Sequence, residues 1–261
     1  DYNWNERYYL TGVLRRDGAS RFGANTRYGT FPAASAAWRV IAEPFMQDQN
    51  FFSDLKVRGG WGEMGNSNNV DPNNQFSLYA SDRGNTFYPI DGQNSGANEG
   101  FAQSRIGNPD AKWETSTTTN IGFDASFLDN HIEIIFDWWK KETEDLLFQV
   151  PLAGVTGNFA AAPSVNVASM ENKGIDIQLI TRGNITEDLN FEFTFNNSFL
   201  SNEITFLAPG IDFFGGPTYR GISPIRNSVG NPISSFFGYN VIGYFADQAE
   251  VDSAPDQDGA G

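Results

Sequence analysis

Glu133 and Asp137 are the acids best placed for general acid–base work, since two facing carboxylates can protonate a leaving group and activate a nucleophile across one bond. They lie in an alternating, strand-like stretch. Four residues along a strand separate them by about 13 Å, beyond the roughly 5 to 9.5 Å that glycoside hydrolysis uses. His131 is the one histidine, so multi-histidine zinc sites and Ser-His hydrolase arrangements lack their parts; directly after a turn, it reads as a rim residue. Gly60-Trp-Gly62-Glu-Met-Gly65 has the glycine spacing of a dinucleotide loop. That chemistry needs a helix N-terminus against the pyrophosphate, and Asn66-Ser-Asn-Asn-Val-Asp-Pro72 follows instead, so the glycines read as easing strand curvature. Asp256-Gln-Asp258-Gly259 has part of a calcium-loop pattern, but its first ligand position falls on Ala254. Glu142, Glu144 and Asp145 beside Lys140 and Lys141 read as a solvated strand end entering a loop. No catalytic residue, cofactor site or metal site is expected, and the chain does not read as an enzyme.

Non-covalent recognition is the better fit. Phe76, Tyr79, Phe87, Tyr88, Phe101, Phe213, Phe214 and Tyr219 fall in stretches rich in Asn, Gly, Asp and Ser. Ring faces stack on apolar ligand faces while amides and carboxylates take polar edges, which suits sugar or peptide contact. The competing reading is that these rings pack the loops together or against a lid.

The elements that would carry such loops are unusually regular. Ile121, Phe123, Ala125 and Phe127 share one parity and Asn120, Gly122, Asp124 and Ser126 the other; beyond Asp129-Asn130, Ile132, Ile134, Phe136 and Trp138 alternate with His131, Glu133 and Asp137, broken by Ile135 and Trp139. Side chains of a strand alternate between faces, so this is a hairpin with one apolar and one polar face, turned at Asp129-Asn130. A second follows, in which Ile175, Ile177 and Leu179 oppose Asp176, Gln178 and Arg182, and Leu189, Phe191, Phe193, Phe195 and Phe199 oppose Asn190, Glu192, Thr194, Asn196 and Ser198. Both hold their pattern for roughly ten residues per arm, the length a tilted strand needs to cross hydrocarbon. The fold class is therefore all-β, an antiparallel up-and-down transmembrane β-barrel, with the Phe and Ile ridges facing lipid. Asp124, Glu133, Asp137, Glu192 and Asn196 are expected to face a watery lumen, and Trp138 to sit in an interfacial aromatic girdle.

Composition agrees. Of 261 residues 39% are hydrophobic and 15% aromatic, 23 of them Phe, so apolar surface is concentrated in large rings. No stretch has the apolar length of a membrane helix. The net charge of −15 argues against nucleic acid, whose phosphates need clustered Lys and Arg. The absence of Cys removes disulfides and thiolate metal sites. Long polar connections follow Gly65, Phe148 and Phe206 and short ones sit at 129–130 and 184–188, with 42–53 on the short side and holding at most a helical turn; barrels place long loops outside and short turns in the periplasm. Asp17-Gly18 reads as a turn and 252–261 as frayed. The alternative is a secreted or surface all-β adhesin or glycan-binding module in which a second sheet covers the Phe ridges.

Five segments, in order, resemble the TonB-dependent outer-membrane transporters of the SusC/RagA type found in Bacteroidetes: Leu14-Arg-Arg-Asp-Gly-Ala-Ser-Arg-Phe-Gly23, Gly29-Thr-Phe-Pro-Ala-Ala-Ser-Ala-Ala-Trp-Arg39, Gly107-Asn-Pro-Asp-Ala-Lys-Trp-Glu114, Glu171-Asn-Lys-Gly-Ile-Asp176 and Pro232-Ile-Ser-Ser-Phe-Phe-Gly-Tyr239. The resemblance implies a barrel of about 22 strands, an internal plug, a SusD-like surface lipoprotein as lid, TonB-driven uptake of glycans or peptides, and residence in the cell outer membrane. Residues 1–261 are expected to be a partial barrel of about eight long strands. Signal peptide, plug and closing strands would lie elsewhere in a longer parent, and the TonB complex would act through that plug.

Overall fold

The computed structural model describes residues 1–90, 92, 96–149, 160–216, 219–241 and 243–254. The strands are β1 (Tyr2–Trp4), β2 (Tyr8–Gly18), β3 (Tyr28–Arg39), β4 (Phe52–Asn66), β5 (Leu78–Ala80), β6 (Ala102–Arg105), β7 (Glu114–Phe127), β8 (Ile132–Gln149), β9 (Ser164–Asn184), β10 (Asn190–Leu207), β11 (Phe214–Gly215), β12 (Ile225–Asn227) and β13 (Ser235–Phe236), with one short helix, α1 (Gln248–Ser253). Eight form one antiparallel sheet in the order β1-β2-β3-β4-β7-β8-β9-β10, a meander that is open at both edges. Beyond the three-residue β1, its strands run from 11 residues in β2 to 21 in β9.

Register aligns the apolar positions into rows across the sheet. Trp4, Tyr8, Trp38, Val57, Phe123, Phe136 and Ile177 are successive cross-strand partners. A neighbouring row is Gly59, Ile121, Trp138, Ile175 and Phe199. Among the described residues nothing covers this face: Phe193 and Phe199 are 57% and 59% exposed. A water-soluble edge strand would aggregate through such a ridge, so the structure has the solvent-facing geometry of a membrane wall and lacks the second sheet that the adhesin alternative requires. From Phe191 to Phe199 the ridge covers about 27 Å along the strand, or about 20 Å at a barrel's usual tilt, close to the apolar band of an outer-membrane barrel. Toward β4 the same face narrows to small residues, Gly12, Ala34, Ala36 and Gly59, flanked by Leu10, Trp61 and Ile121.

The apolar band ends abruptly. Beyond the Trp138 row the same face carries Thr119, Lys140, Lys173 and Ser201, then Thr117, Glu142, Glu171 and Glu203. Lys140 bridges Glu142 at 2.8 Å and Glu171 at 3.1 Å, and Lys173 holds Glu171 at 2.9 Å. These residues are therefore paired within the sheet, contrary to the expected loop entry; β8 continues to Gln149 through a bulge in which Asp145 has φ 56°.

Four reversals share one end. Residues 5–7, 40–51, 128–131 and 185–189 connect strands there, and the connection at 40–51 contains two 3₁₀ turns, Val40–Ala42 and Pro44–Met46. The first hairpin turns through Leu128, Asp129 and Asn130, all with positive φ, one residue more than Asp129-Asn130 alone would supply. Glu43 is nearly buried at this end; Tyr8 Oη donates to its Oε1 at 2.6 Å and Trp38 Nε1 at 3.1 Å. Those donors, Tyr8 foremost, hold the Glu43 carboxyl below the usual range.

The long connections share the opposite end, where the strand ends and loops form the buried clusters. Phe22, Val70, Ala111 and Leu147 form one, joined by Ala19 and Trp113. Leu146, Val167, Ala168, Ile204 and Leu207 form the other, with Phe148 and Phe214 packed on it. Asp17 and Gly18 pair with Gly29 and Tyr28 inside β2 and β3, so the expected turn lies beyond them at 19–27.

Candidate functional site

The polar face is an organised lattice of charge. All five acids and amides expected to line a lumen occupy it, and two arginines tie four of them together. Arg58 Nη1 and Nη2 donate to Asp137 Oδ1 and Oδ2 at 2.6 and 2.7 Å, while Nε donates to Asp124 at 3.1 Å. Arg182 reaches Glu133 at 2.9 Å and Glu192 at 2.6 Å. Gln178 Nε2 donates to Asn196 Oδ1 at 2.8 Å. Glu133 and Asp137 thus serve separate arginines, which removes any paired-carboxylate chemistry between them.

Local sequence explains how the lattice forms. Arg58 and Asp137 are both partners of Gly122, which lies between them on β7. A side chain at Gly122 would run into Asp137 Oδ1 and come within 2.5 Å of the Phe136 carbonyl oxygen; its absence lets the guanidinium cross a whole strand. Gly174 does the same for Trp139, whose ring fills the space of a missing Cβ and whose Nε1 donates to Asp176 Oδ2 at 2.8 Å. Trp139 broke the alternation of β8 because it is a donor on the polar face. Arg58, Arg182, Asp176 and Trp139 join the expected acids and amides in this lattice; for Arg58 and Trp139 the signal is a long polar-tipped side chain opposite a glycine on a neighbouring strand.

The nucleotide and calcium readings fare differently. Gly60, Gly62 and Gly65 lie inside the continuous strand β4, with no helix after them, so the dinucleotide geometry is absent. Residues 256–259 lie outside the described residues. His131 is exposed beside the turn, its Nδ1 2.6 Å from the Leu128 carbonyl oxygen.

At the long-loop end the structure separates the aromatic candidates. Phe76, Tyr79, Tyr88 and Phe101 are more than half exposed, with Tyr79 on β5 and Tyr88 bridged to Asn98; Phe87 is half-buried. Tyr219 is exposed, with Arg220 over its ring. Phe214 instead packs against Phe148, ring centroids 4.5 Å apart, on the side of the buried cluster, a packing role. Phe213 lies against Arg226, with 4.0 Å from its ring centroid to the guanidinium carbon.

The loops beneath are held by polar groups rather than left as coil. Asp71 accepts both Arg105 Nη groups at 2.6 and 2.8 Å. The Arg105 guanidinium, then the Asn73 amide, hold its carboxyl below the usual range. Asn74 is buried and exchanges two hydrogen bonds with the Ser164 backbone. Arg21 donates to the carbonyls of Ser67 and Val70. Between these segments opens a cavity of about 580 Å³, lined in part by Arg21, Asn68, Asn69, Asp71, Phe148 and Gln149. Amides, a carboxylate, a guanidinium and a ring edge are groups that recognise polar, uncharged or weakly charged ligands.

An up-and-down sheet of membrane-length strands, apolar outside, charged inside and loop-rich at one end, defines part of an outer-membrane β-barrel. Residues 1–258 match the family model described as TonB dependent receptor-like, beta-barrel, and the chain belongs to that family. It is 34% identical over 221 residues to the TonB-dependent receptor SusC of Bacteroides thetaiotaomicron, covering 81% of this chain and 21% of that protein. TonB-dependent receptor P3 of Formosa agariphila is 30% identical over 94% of this chain and 24% of its own length. Among solved structures, the RagAB peptide transporter superposes with a TM-score of 0.75 at 28% identity, over 90% of this chain and 24% of that one. The chain spans about a quarter of the length of these relatives. The family is one of outer-membrane receptors and not of enzymes.

Proposed function

We propose that the chain is barrel wall from a TonB-dependent importer that takes up glycans or peptides together with a SusD-like surface lipoprotein. The observation that carries it is the division of one sheet into an uncovered Phe and Ile face and a face of ion-paired Asp, Glu and Arg. On this reading the first meets outer-membrane lipid, and the second lines a hydrated bore containing Asp124, Glu133, Asp137, Glu192 and Asn196. The folded long-loop end supplies the mouth, where Phe76, Tyr79, Phe87, Tyr88, Phe101, Phe213 and Tyr219 are available to substrate or to the lipoprotein. Phe214 supports them from below. Force from the TonB complex enters through a plug carried by other parts of the parent. The SusC relative and the RagAB peptide transporter support import, and with the latter peptides in particular.

The test uses the full-length parent in its own host. Deleting its gene should abolish growth on the peptide or glycan it imports, and affinity purification of the parent from detergent-solubilised outer membranes should bring down a surface lipoprotein. Extraction of the intact parent into buffer without detergent would overturn the reading.

A further inference from the structure

Strand β12 is the centre of the small sheet β11-β12-β13, and in it Arg226 is flanked by Gly215 on one side and Ser235 on the other. Phe213 and Phe237 are two residues from those neighbours, on the same parity, and they fall on opposite sides of Arg226 along the sheet. The result is a cation slot. The guanidinium carbon lies 4.0 Å from the centroid of Phe213 and 3.6 Å from that of Phe237. Such double stacking removes both faces of the guanidinium from water and leaves its in-plane N–H edges as the available chemistry.

One of those edges lacks a partner among the described residues. Arg226 Nε is buried and has no acceptor, and no carboxylate pairs with Arg226 among the described residues. This occurs in a chain with 32 acids against 17 Lys and Arg, in which Arg7, Arg15, Arg39, Arg58, Arg105 and Arg182 all hold an acid. A buried donor without an acceptor is costly, and more so on a charged group. The side chain of Ser235 is turned away, donating to the Pro232 carbonyl at 2.6 Å.

The sheet is also placed over the polar face. Ile204 at the end of β10 exchanges backbone hydrogen bonds with Gly230 and Asn231, and Asn202 on the polar parity accepts the Ile233 amide at 2.7 Å. The slot therefore overhangs the mouth of the proposed bore.

We infer that Arg226, clamped by Phe213 and Phe237, is a binding site for a carboxylate of the transported molecule. A carboxylate is flat, carries the opposite charge and accepts two parallel N–H bonds from one guanidinium edge, which is the shape the two rings leave open. The inference rests on the importer reading and narrows its substrates to carboxylate-bearing ones, whether the group is a peptide terminus or a uronic acid.

The full-length parent, purified in detergent, is titrated with a short peptide bearing a free C-terminal carboxylate, the same peptide as its amide, an oligouronate and its methyl ester. At least one acid should bind about tenfold more tightly than its neutral counterpart, the scale of a charge-assisted pair. Arg226→Gln and Arg226→Lys should each bring the two forms within about twofold, because Lys keeps the charge but loses the flat fork. Which acid shows the preference separates the peptide from the uronate source. Retained heat-modifiable mobility on gels shows that each variant is folded, and Phe237→Ala, which opens one side of the slot, should reduce the preference partway. Equal binding of acid and neutral forms by the parent, binding of neither, or a preference that survives both Arg226 substitutions overturns the inference. If the preference is absent while deletion of the parent still abolishes growth, the slot falls and the importer stands; if deletion has no effect, both fall.

Discussion

The two faces of the same strands solve opposite problems with neighbouring residues. On one, Ile175, Ile177, Phe195 and Phe199 make no polar demands and need no partner beyond hydrocarbon. On the other, Gln178 donates to Asn196, Arg182 to Glu192 and Glu133, and Trp139 to Asp176, through side chains that cross strands. The apolar face is thus specified residue by residue, whereas the polar face is specified by pairs, and a glycine opposite a long side chain is part of the pair. What the contrast teaches is that a charge costs little or much in this wall according to parity alone.

The strongest way to break the contrast is to place a charge on the wrong parity. Ile177→Arg, at mid-height of the apolar band, should destabilise the full-length parent by about 2–4 kcal/mol, whereas Gln178→Arg next to it should stay within about 0.5 kcal/mol. Urea unfolding in liposomes, followed by heat-modifiable mobility, measures both; equal costs would mean the faces are misassigned. Next in size is Gly122→Val, which forces a branched side chain between Arg58 and Asp137 and should cost about 1–3 kcal/mol by overpacking. Arg58→Met, which removes the same two ion pairs without a clash, should cost about 1 kcal/mol or less, because both acids remain partly hydrated. Finding Arg58→Met the more damaging of the two would show that charge, and not space, organises the polar face.

The smallest effect is local and concerns the loops. Arg105 holds the Asp71 carboxyl below its ordinary value of 3.8, so the pair stabilises the loop fully above that pH and loses its contribution as pH falls through the folded-state value. Amide exchange around residues 71–76 and 105–108 should therefore accelerate below about pH 3.8 while the strand amides stay protected. Asp71→Asn should flatten this dependence. A strand-wide response at the same pH would place the sensitivity in the wall instead.

Reading from residues alone recovered the long strands well because alternation over ten or more positions admits one assignment. Ile121 to Phe127 and Phe191 to Phe199 lie on the faces their parity dictates, and the short and long connections fall at opposite ends as expected. Shorter signals were ambiguous. Asp17-Gly18 is a turn dipeptide by composition but is paired within β2, since its partners Gly29 and Tyr28 were invisible locally. The cluster at 140–145 reads as a solvated exit because the acid that Lys140 finds, Glu171, lies on another strand. Helix α1 was overlooked although Asp247 and Glu250 have capping spacing, and Asp247 does accept the Glu250 amide at 2.9 Å. Of the loop aromatics, Phe214 proved to be packing and Phe213 to be one jaw around Arg226, a distinction that depends on β11 and β13 flanking β12.

By itself the chain of residues determined which side of each strand is apolar, how far the apolar band extends and where the chain reverses, because these follow from a period of two and from local turn chemistry. The tertiary structure alone decided the partners: Arg58 with Asp137 at a separation of 79 residues, Arg182 with Glu133 at 49, and Arg226 between two rings with no acid among the described residues. Register across strands sets those contacts, and register is a property of the assembled sheet that no single stretch of sequence contains.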